Sequence, residues 1–334
     1  MKIGLAYDLK TTVEARPNAP DDEAEEYDPP DTINALASEI EGLGHQVVHL
    51  GGGNEFLRRI GSANVDLVFN IAEGKGTYRS REAQVPSVLE MLGIPYSGSD
   101  PLTLAISLDK PMAKQVVLSA GVSSPRYRIV RHLDDLHALA EHGLNFPVVV
   151  KPAFEGSSKG IRLTSKVDRR EDLEEPVKTV LNAYRQPALI EEFVAGREIT
   201  VGVVGNCPPR VIGVMEVVPR NGLDGNFMYT IEVKREWQHL VSYRCPPDLP
   251  DGCIKAIEQK ALAVFKALQC RDVARVDFRI DKKHEPHFLE VNPLPGLSPV
   301  NSDLPLMASL SGWSYRLLVK EILEAALQRY AKAT

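Results

Sequence analysis

The order of apolar segments along the chain limits the fold more than any other feature of the sequence. In the first third, short apolar runs alternate with helical patterns, in the order IGLAY, TINALASEIEGLG, QVVHL, DLVFNIA, AQVPSVLEMLG and IPYSG. Strands that alternate with helices usually form a parallel sheet covered by those helices. We therefore expect a parallel α/β domain over residues 1–105. Within it, GGGNEF (51–56) lacks the third glycine of a dinucleotide-binding fingerprint, and we interpret it as a turn.

Two further units follow. Residues 106–195 contain the helical segment LDKPMAKQVVLSAGV ending at Gly121, strands RYRIV, PVVVK and ALIEEF, and helices near 134–142 and 169–184. After Gly196, the segments REITVGVV, RVIGVMEVV, ARVDFRI and HFLEVN show the period of two that is typical of strands with one buried face. A helix near 253–268 and two helices starting near Asp303 and Ser314 complete an α+β unit over 196–334. We predict an α/β protein of three domains.

Composition excludes several classes of function. The chain has 334 residues, 43% of them hydrophobic, and a net charge of −6. These values are those of an ordinary globular protein. The acidic balance argues against a nucleic-acid partner, which would need an excess of Lys and Arg. No run of 18 apolar residues occurs, and the four cysteines form no C-x-x-C pair. We expect a cytoplasmic protein with free thiols and no membrane partner.

One predicted strand has an unusual polar face. Alternation in ARVDFRI puts Arg275, Asp277 and Arg279 on one side. If DKKHEP connects an antiparallel hairpin, Asp277 lies opposite Glu290 and Arg275 lies opposite Asn292. Opposed carboxylates destabilise a sheet unless a cation lies between them, and Asp, Glu and Asn oxygens suit Mg²⁺. The sequence therefore favours a magnesium site, although the two arginines could instead neutralise the carboxylates in a plain surface ladder.

Two loops have the composition of anion-binding sites. The apolar strand in VVVKPAFEGSSKG ends at Lys151 and leads into a Gly/Ser loop whose backbone N–H groups could surround phosphates. Alternatively, Lys151 is a surface residue whose stem covers apolar groups. The proline-rich PLPGLSP (293–299) could fix the N–H of Gly296 as a hydrogen-bond donor to an oxyanion.

Charged segments in the N-terminal unit are candidates for substrate binding. The acidic segment EARPNAPDDEAEEYDPPD (14–31) follows the first strand, at the sheet edge where parallel α/β domains bind ligands. Glu73, Arg79, Arg81 and Glu82 follow another strand and could bind the two charged groups of an amino acid. A solvated surface loop is the alternative in both places.

From about Val88 to the C-terminus, five ordered motifs resemble the ATP-grasp superfamily, and specifically the D-alanine–D-alanine ligase group. They are LEMLGIPYSGSDPLTLAISLDKPMAK, FPVVVKPAFEGSSKGI, ALIEEFVAGREITV, ARVDF and FLEVNPLPGLSP. The resemblance implies a three-domain ATP-grasp architecture, in which an N-terminal α/β domain precedes two α+β domains that clasp ATP. It also implies an ATP-dependent ligase that joins a small-molecule carboxylate to an amine through an acyl phosphate, releasing ADP and phosphate, and it suggests a homodimer.

The resemblance also implies roles for single residues. Lys110 and Lys151 would contact ATP phosphates. The flap over the phosphates would comprise Glu155, Gly156, Ser157 and Ser158, of which we include Ser157 among the catalytic residues. The adenine pocket would be lined by Glu191, Glu192, Phe193 and Val194, with Glu198 on the ribose. The ligands of two Mg²⁺ ions would be Asp277, Glu290 and Asn292. The tetrahedral intermediate would be stabilised by Arg275 and the Gly296 amide, and Lys234 would lie near the γ-phosphate.

The chain departs from the family pattern on the substrate side. The family's Gly-Gly-x-Ser-x-Glu loop and His-Gly-x-x-Gly-Glu-Asp-Gly segment correspond here to AYDLKTTVEARPN, where Glu14 is the candidate replacement, and to NIAEGKGTYRSREAQVP. Arg235 replaces a tyrosine expected after Lys234. The sequence therefore leaves open whether the substrates are D-alanine or other amino-acid-like or natural-product compounds. A nucleotide-binding module without turnover and an ATP-grasp kinase are the alternatives from other classes.

Overall fold

The computed structural model describes residues 1–12, 19–138, 143–222 and 225–331, with only the backbone described at 137 and 138. Glu14 and the second half of the helix predicted near 134–142 lie outside the described residues. The strands are β1 (Lys2–Ala6), β2 (Gln46–Gly51), β3 (Leu67–Asn70), β4 (Tyr127–Val130), β5 (Val148–Pro152), β6 (Lys166–Val167), β7 (Ala188–Glu192), β8 (Arg197–Val204), β9 (Arg210–Pro219), β10 (Val241–Arg244), β11 (Val273–Ile280) and β12 (Pro286–Asn292).

The helices cover the sheets. They are α1 (Pro30–Gly42), α2 (Gly53–Ile60), α3 (Gln84–Leu92), α4 (Pro101–Leu108), α5 (Lys110–Ser119), α6 (Asp135–Ala138), α7 (Glu174–Thr179), α8 (Ile231–Arg235), α9 (Trp237–Leu240), α10 (Asp251–Ala267), α11 (Asp303–Leu310) and α12 (Tyr315–Ala331). Among these described helices, none combines the length and the apolar character needed to cross a membrane.

The N-terminal sheet is parallel, with strand order β2-β1-β3, as the sequence predicts. Two local predictions in this region are wrong. GGGNEF contains more than a turn, because α2 begins at Gly53 and buries Phe56 and Ile60. The segment IPYSG forms only an isolated bridge between Tyr96 and Val68, not a full strand.

The other two sheets are antiparallel, in the orders β4-β7-β5-β6 and β10-β9-β8-β11-β12. The predicted strands of both units are present. The sequence analysis missed α4, of eight residues, and four elements of two to five residues: β6, β10, α8 and α9.

Two apolar cores position the candidate site. On β11, Val276, Phe278 and Ile280 pack with the α10 side chains of Ile257 and Phe265. Because strand side chains alternate, the polar residues of β11 must face the opposite side of the sheet. The C-terminal helix α12 packs against the five-stranded antiparallel sheet. It also shares a core with the N-terminal strand β1. The chain end thus joins the first and last parts of the sequence.

Candidate active site

The β11–β12 hairpin has the predicted pairing at its polar end. Asp277 is the register partner of Glu290, and Arg275 that of Asn292. The register shifts between Asp277 and Phe278, so that Phe278 pairs with Phe288. This bulge near the turn was not predicted. It lies outside the polar pairs, and the prediction for the two carboxylates is confirmed.

Each of these carboxylates already has a cationic neighbour. Arg275 Nη2 lies 2.8 Å from Asp277 Oδ2, and Lys110 Nζ lies 3.2 Å from Glu290 Oε2. Burial alone would raise the pKa of Glu290, but Lys110, Lys151 and Arg275 outweigh it and hold the pKa well below its ordinary value. An arginine therefore does neutralise Asp277, as the alternative to a metal site predicted. The arrangement is not a surface ladder, because Arg275 is buried.

Polar groups fix the orientation of Asp277. Thr200 Oγ1 donates to Asp277 Oδ1 at 2.6 Å, and Asn292 Nδ2 donates to Oδ2 at 3.2 Å. Among the described residues there is no group of three or more His, Cys, Asp or Glu side chains able to hold a metal ion. Mg²⁺ usually takes one or two carboxylates and completes its octahedron with waters and phosphate oxygens. The donor set of Asp277, Glu290 and Asn292 fits an ion that arrives with a phosphate ligand.

The lysine at the end of β5 belongs to a buried charge cluster. Lys151 forms an ion pair with Glu191 Oε1, and Lys114 Nζ lies 2.9 Å from Glu191 Oε2. Burial lowers the pKa of Lys114 to about 8 despite the nearby Glu191. The sequence analysis missed Lys114. Its signal was the spacing of four residues from Lys110 on one helix, which puts both side chains on the same face.

The Gly/Ser loop after β5 has a sharply curved backbone. Ser157 and Ser158 have φ values of 49° and 60°, and Gly160 has a φ of 73°. A Cβ on Gly160 would lie 2.4 Å from Cγ of Pro152, so glycine is required there. Ser158 Oγ donates to the carbonyl of Tyr229 at 3.1 Å. Left-handed backbone conformations are unfavourable for serine, and residues strained in this way cluster at active sites, ligand-binding loops and switch regions.

Two adjoining cavities open beside this loop. The first, called the cleft below, is lined by Lys151, Ser158, Glu191, Glu192, Phe193, Val194, Glu198, Arg279 and neighbouring residues. The second, called the acidic cavity, has a volume of about 270 Å³ and is lined by Asp28, Glu73, Glu82, Lys110, Gly156, Ser157, Asn292, Gly296 and others. Both cavities are lined by Lys234, Arg275 and Glu290. The opposed carboxylate pair therefore lies where the two cavities meet.

The cleft combines an aromatic ring with buried charges. The Arg279 guanidinium lies 4.5 Å from the ring centroid of Phe193, and its Nη1 lies 3.7 Å from Glu198 Oε2. The Tyr229 N–H donates to the same Glu198 oxygen at 2.9 Å. Burial raises the pKa of Glu198 more than Arg279 lowers it. A flat aromatic ligand with a polar sugar matches these groups.

The acidic segment docks against the Gly/Ser loop. Asp22 is fully buried, accepts the Gly160 N–H at 3.0 Å and is bonded by the Tyr184 hydroxyl. Glu26 lies 2.7 Å from Arg81 Nη2 and 3.0 Å from Lys159 Nζ. Within the described part of this segment, residues 19–31, the alternative of a solvated loop is therefore wrong for Asp22 and Glu26.

The members of the charged cluster predicted near residues 73–82 have different surroundings. Glu73 and Glu82 line the acidic cavity. Arg81 is instead engaged by Glu26 and Glu155, and the exposed Arg79 pairs with Asp109 at 3.1 Å. Neither arginine lines the cavities described above. Residue Glu155, expected in the flap, directs its carboxylate to Arg81 and Lys159.

Comparison with known proteins identifies the family. Residues 117–324 match the family model described as the D-ala D-ala ligase C-terminus. The chain belongs to the D-alanine–D-alanine ligase family. It is an ATP-grasp protein and an ATP-dependent ligase that forms an amide.

Relatives match the chain over most of its length. The D-alanine–D-alanine ligase of Moorella thermoacetica is 33% identical over 88% of this chain and 93% of its own. An uncharacterized protein of Sinorhizobium fredii is 37% identical over 79% of this chain and 75% of its own. The crystal structure of D-alanine–D-alanine ligase from Bacillus anthracis is 25% identical, with a TM-score of 0.75 and complete coverage of both chains.

The departures from the D-alanine–D-alanine ligase pattern have defined partners in this ligase. Arg235, which replaces the tyrosine, places Nη1 2.6 Å from Asp21 Oδ2 and Nη2 3.1 Å from Glu25 Oε2. Arg81, in the altered second segment, pairs with Glu26. All three acidic partners come from the acidic segment, just after the stretch that corresponds to the family's first loop.

Proposed function

We propose that this ligase binds ATP in the cleft and an amino-acid-like carboxylate in the acidic cavity, and joins that carboxylate to an amine. The observation that carries the proposal is the junction of the two cavities, where Glu290 and Arg275 line both and Asp277 lies opposite Glu290. An acid that enters the second cavity can therefore meet a phosphate that enters from the first.

On the ATP side, Lys110, Lys151 and Lys234 would face the phosphates and offset their charge. Their ion pairs with Glu290 and Glu191 hold the first two in place before ATP binds. The flap would be formed by Glu155, Gly156, Ser157 and Ser158. The adenine would lie against Glu191, Glu192, Phe193 and Val194, and Glu198 would bind the ribose.

Asp277, Glu290 and Asn292 would hold Mg²⁺, and we propose two ions. When bound, the metal would neutralise charge on the phosphate oxygens. Two features of this chain support the metal site. The donor set suits the ion, and Lys110 and Arg275 lie beside the two carboxylates in the free protein, where bound ions would replace them.

The reaction would proceed in two displacements. An oxygen of the substrate carboxylate attacks the γ-phosphorus, the bond to ADP breaks, and an acyl phosphate forms. The amine nitrogen then attacks the carbonyl carbon, loses a proton, and phosphate leaves with the pair of electrons of the C–O bond. Arg275 and the Gly296 N–H would stabilise the oxyanion between these steps. The Gly296 N–H has no acceptor among the described residues, which leaves it free to donate.

We also propose domain boundaries near residues 105 and 195, supported by the three separate sheets. The resemblance to the family further supports a homodimer acting in the cytoplasm, where ATP is supplied. Sedimentation of the purified protein would test the dimer.

The decisive experiment is mass spectrometry of products formed with Mg-ATP and D-alanine, together with phosphate release across a panel of amino acids and small carboxylates. A dipeptide from D-alanine would assign the substrate of the named relatives to this chain. Condensation of another pair would assign a different substrate to the same chemistry. A phosphorylated acceptor without condensation would identify a kinase, and ATP binding without any product would identify a binding module. A phosphorylated acceptor alone, or binding alone, would refute the proposed reaction.

A further inference from the structure

One wall of the acidic cavity carries carboxylates that have no partner. Asp28, Glu73 and Glu82 all line the cavity. Within the part of the chain that the structure describes, none of these three side chains forms an ion pair or a hydrogen bond. Glu82 is only 8% exposed, so its carboxylate is nearly removed from solvent yet borders the cavity. Burying an ionised carboxylate without a partner is costly, so such a group takes up a proton unless a ligand places a positive charge beside it.

The cations nearest to this wall are already engaged elsewhere. Lys10 Nζ lies 3.4 Å from Glu25, and Arg81 Nη2 lies 2.7 Å from Glu26 and 3.0 Å from Glu155. Lys110 Nζ lies 3.2 Å from Glu290 Oε2, where the two cavities meet. These cations are therefore not free to pair with the wall, which leaves its carboxylates to be neutralised by protons or by a cationic ligand.

The pKa values of the wall carboxylates are raised, as expected for buried acids without a cationic partner. Burial, together with Asp8, raises the pKa of Asp28 to about 7. Burial also raises the pKa of Glu82 to about 7, against the opposing effect of Arg81 and Lys110 and with added repulsion from Glu26 and Glu155.

The third carboxylate of the wall is affected in the same direction. Burial raises the pKa of Glu73, and repulsion from Glu82, Glu26 and Asp28 raises it further than Arg81 lowers it. A positive charge placed among the three groups would relieve their mutual repulsion and favour their ionised forms.

We propose that the substrate of the acidic cavity carries two positive charges, an α-ammonium and a second ammonium on its side chain, both bound by the wall of Asp28, Glu73 and Glu82. This inference rests on the proposed function, in which the substrate carboxylate lies at the junction with Arg275 and Lys234. An ordinary α-amino acid brings one ammonium and would leave two of the three carboxylates without a partner. A basic amino acid matches the wall more completely.

Calorimetric titration of the full chain in the presence of Mg-ADP tests the proposal with an isosteric pair of probes. In 2,4-diaminobutyrate an ammonium replaces the terminal methyl group of norvaline, and both enantiomers of each are titrated at pH 7. We expect 2,4-diaminobutyrate to bind at least about tenfold tighter than norvaline, because each 1.4 kcal/mol changes affinity tenfold and close charge pairs exceed that value. Binding should also release protons, seen as a dependence of the heat on the buffer.

Variants separate the wall from general electrostatics. Asp28→Asn, Glu73→Gln and Glu82→Gln should each reduce the preference for 2,4-diaminobutyrate by several-fold and reduce proton release. Asp31→Asn removes the same charge from an exposed position close to Asp28 and should leave both unchanged. Thermal unfolding checks that each variant is folded.

Two outcomes would overturn the proposal: equal or tighter binding of norvaline, or a preference that survives in all three wall variants. These results would leave the proposed function intact if an amide still forms from substrates with uncharged side chains. Conversely, tight binding of 2,4-diaminobutyrate without amide formation from any pair of substrates would refute the proposed function, not the charge of the wall.

Discussion

Replacing Glu26 by glutamine tests whether the acidic segment is held by a buried charge cluster. Its carboxylate is 2% exposed and is shared by Arg81 and Lys159, which are themselves buried. The variant Glu26→Gln keeps the size of the side chain but leaves these two cations with Glu155 as their remaining anion. Breaking a buried ion pair from one side costs about 3–5 kcal/mol. Because the amide oxygen can still accept one hydrogen bond, we expect a loss of about 3 kcal/mol.

Asp21 provides a matched control in the same segment. Its side chain is 61% exposed and pairs with Arg162 and Arg235. Exposed ion pairs contribute at most about 1 kcal/mol, so Asp21→Asn should change stability little. In a chain of this size, 3 kcal/mol corresponds to a fall of roughly 4 °C in Tm. Calorimetric unfolding measures both variants directly.

The pH dependence gives an independent test of the same cluster. Burial opposes ionisation of Glu26, but Arg81 and Lys159 lower its pKa from 4.5 to about 2. A lowered pKa contributes stability that is present above pH 4.5 and is lost as the pH falls toward 2. The difference between wild type and Glu26→Gln should therefore narrow over that range. A loss below 1 kcal/mol at pH 7, equal to that of Asp21→Asn, would refute the buried cluster.

Four further predictions concern the site. Asp277→Asn or Glu290→Gln should abolish turnover while the protein still folds, and wild-type rates would refute the metal assignment. Lys151→Ala should weaken ATP binding about tenfold or more by calorimetry, whereas unchanged affinity would make this lysine structural. Arg275→Ala should lower kcat by about 10²-fold or more with a much smaller effect on ATP affinity, because an oxyanion donor acts in the transition state; equal losses would argue against that role. Glu82, with its pKa raised to about 7, contributes stability that is present at low pH and lost as pH rises through 7. In Glu82→Gln, unfolding measured against pH should lack this decline, and an unchanged curve would contradict the burial of an unpaired acid.

The polar hairpin shows what the sequence could determine. A period of two and a short connection were enough to pair Asp277 with Glu290, because each fixes the register of nearby residues. The bulge leaves Leu289 as the extra residue on β12, where the adjacent apolar residues Phe288 and Leu289 interrupt the period of two, and the sequence analysis did not use this signal. Local patterns therefore predicted most strands and most helices, but not the shift in register between β11 and β12.

Long-range charge contacts were beyond sequence reasoning for a different reason. A run such as DDEAEEYD has the same composition whether it is solvated or buried against cations from distant parts of the chain. Glu26 meets Arg81 and Lys159 only because β1, β3 and β5 bring their following loops together. Lys114 was missed because a lysine in an amphipathic helix normally faces water, and only the fold places Glu191 beside it.

The departures from the family pattern are coupled to one another. Arg235 pairs with Asp21 and Glu25, while Arg81 pairs with Glu26, so the replaced tyrosine and the altered second segment both contact the acidic segment. Changing one of these positions alone would leave its partner charge uncompensated, and for Glu26 that charge is buried. Arg235→Tyr by itself should therefore not restore the family's usual pocket. On the substrate side of this ligase, the positions that differ from the family pattern contact one another. The acidic cavity and the acidic segment that lines it must therefore change together.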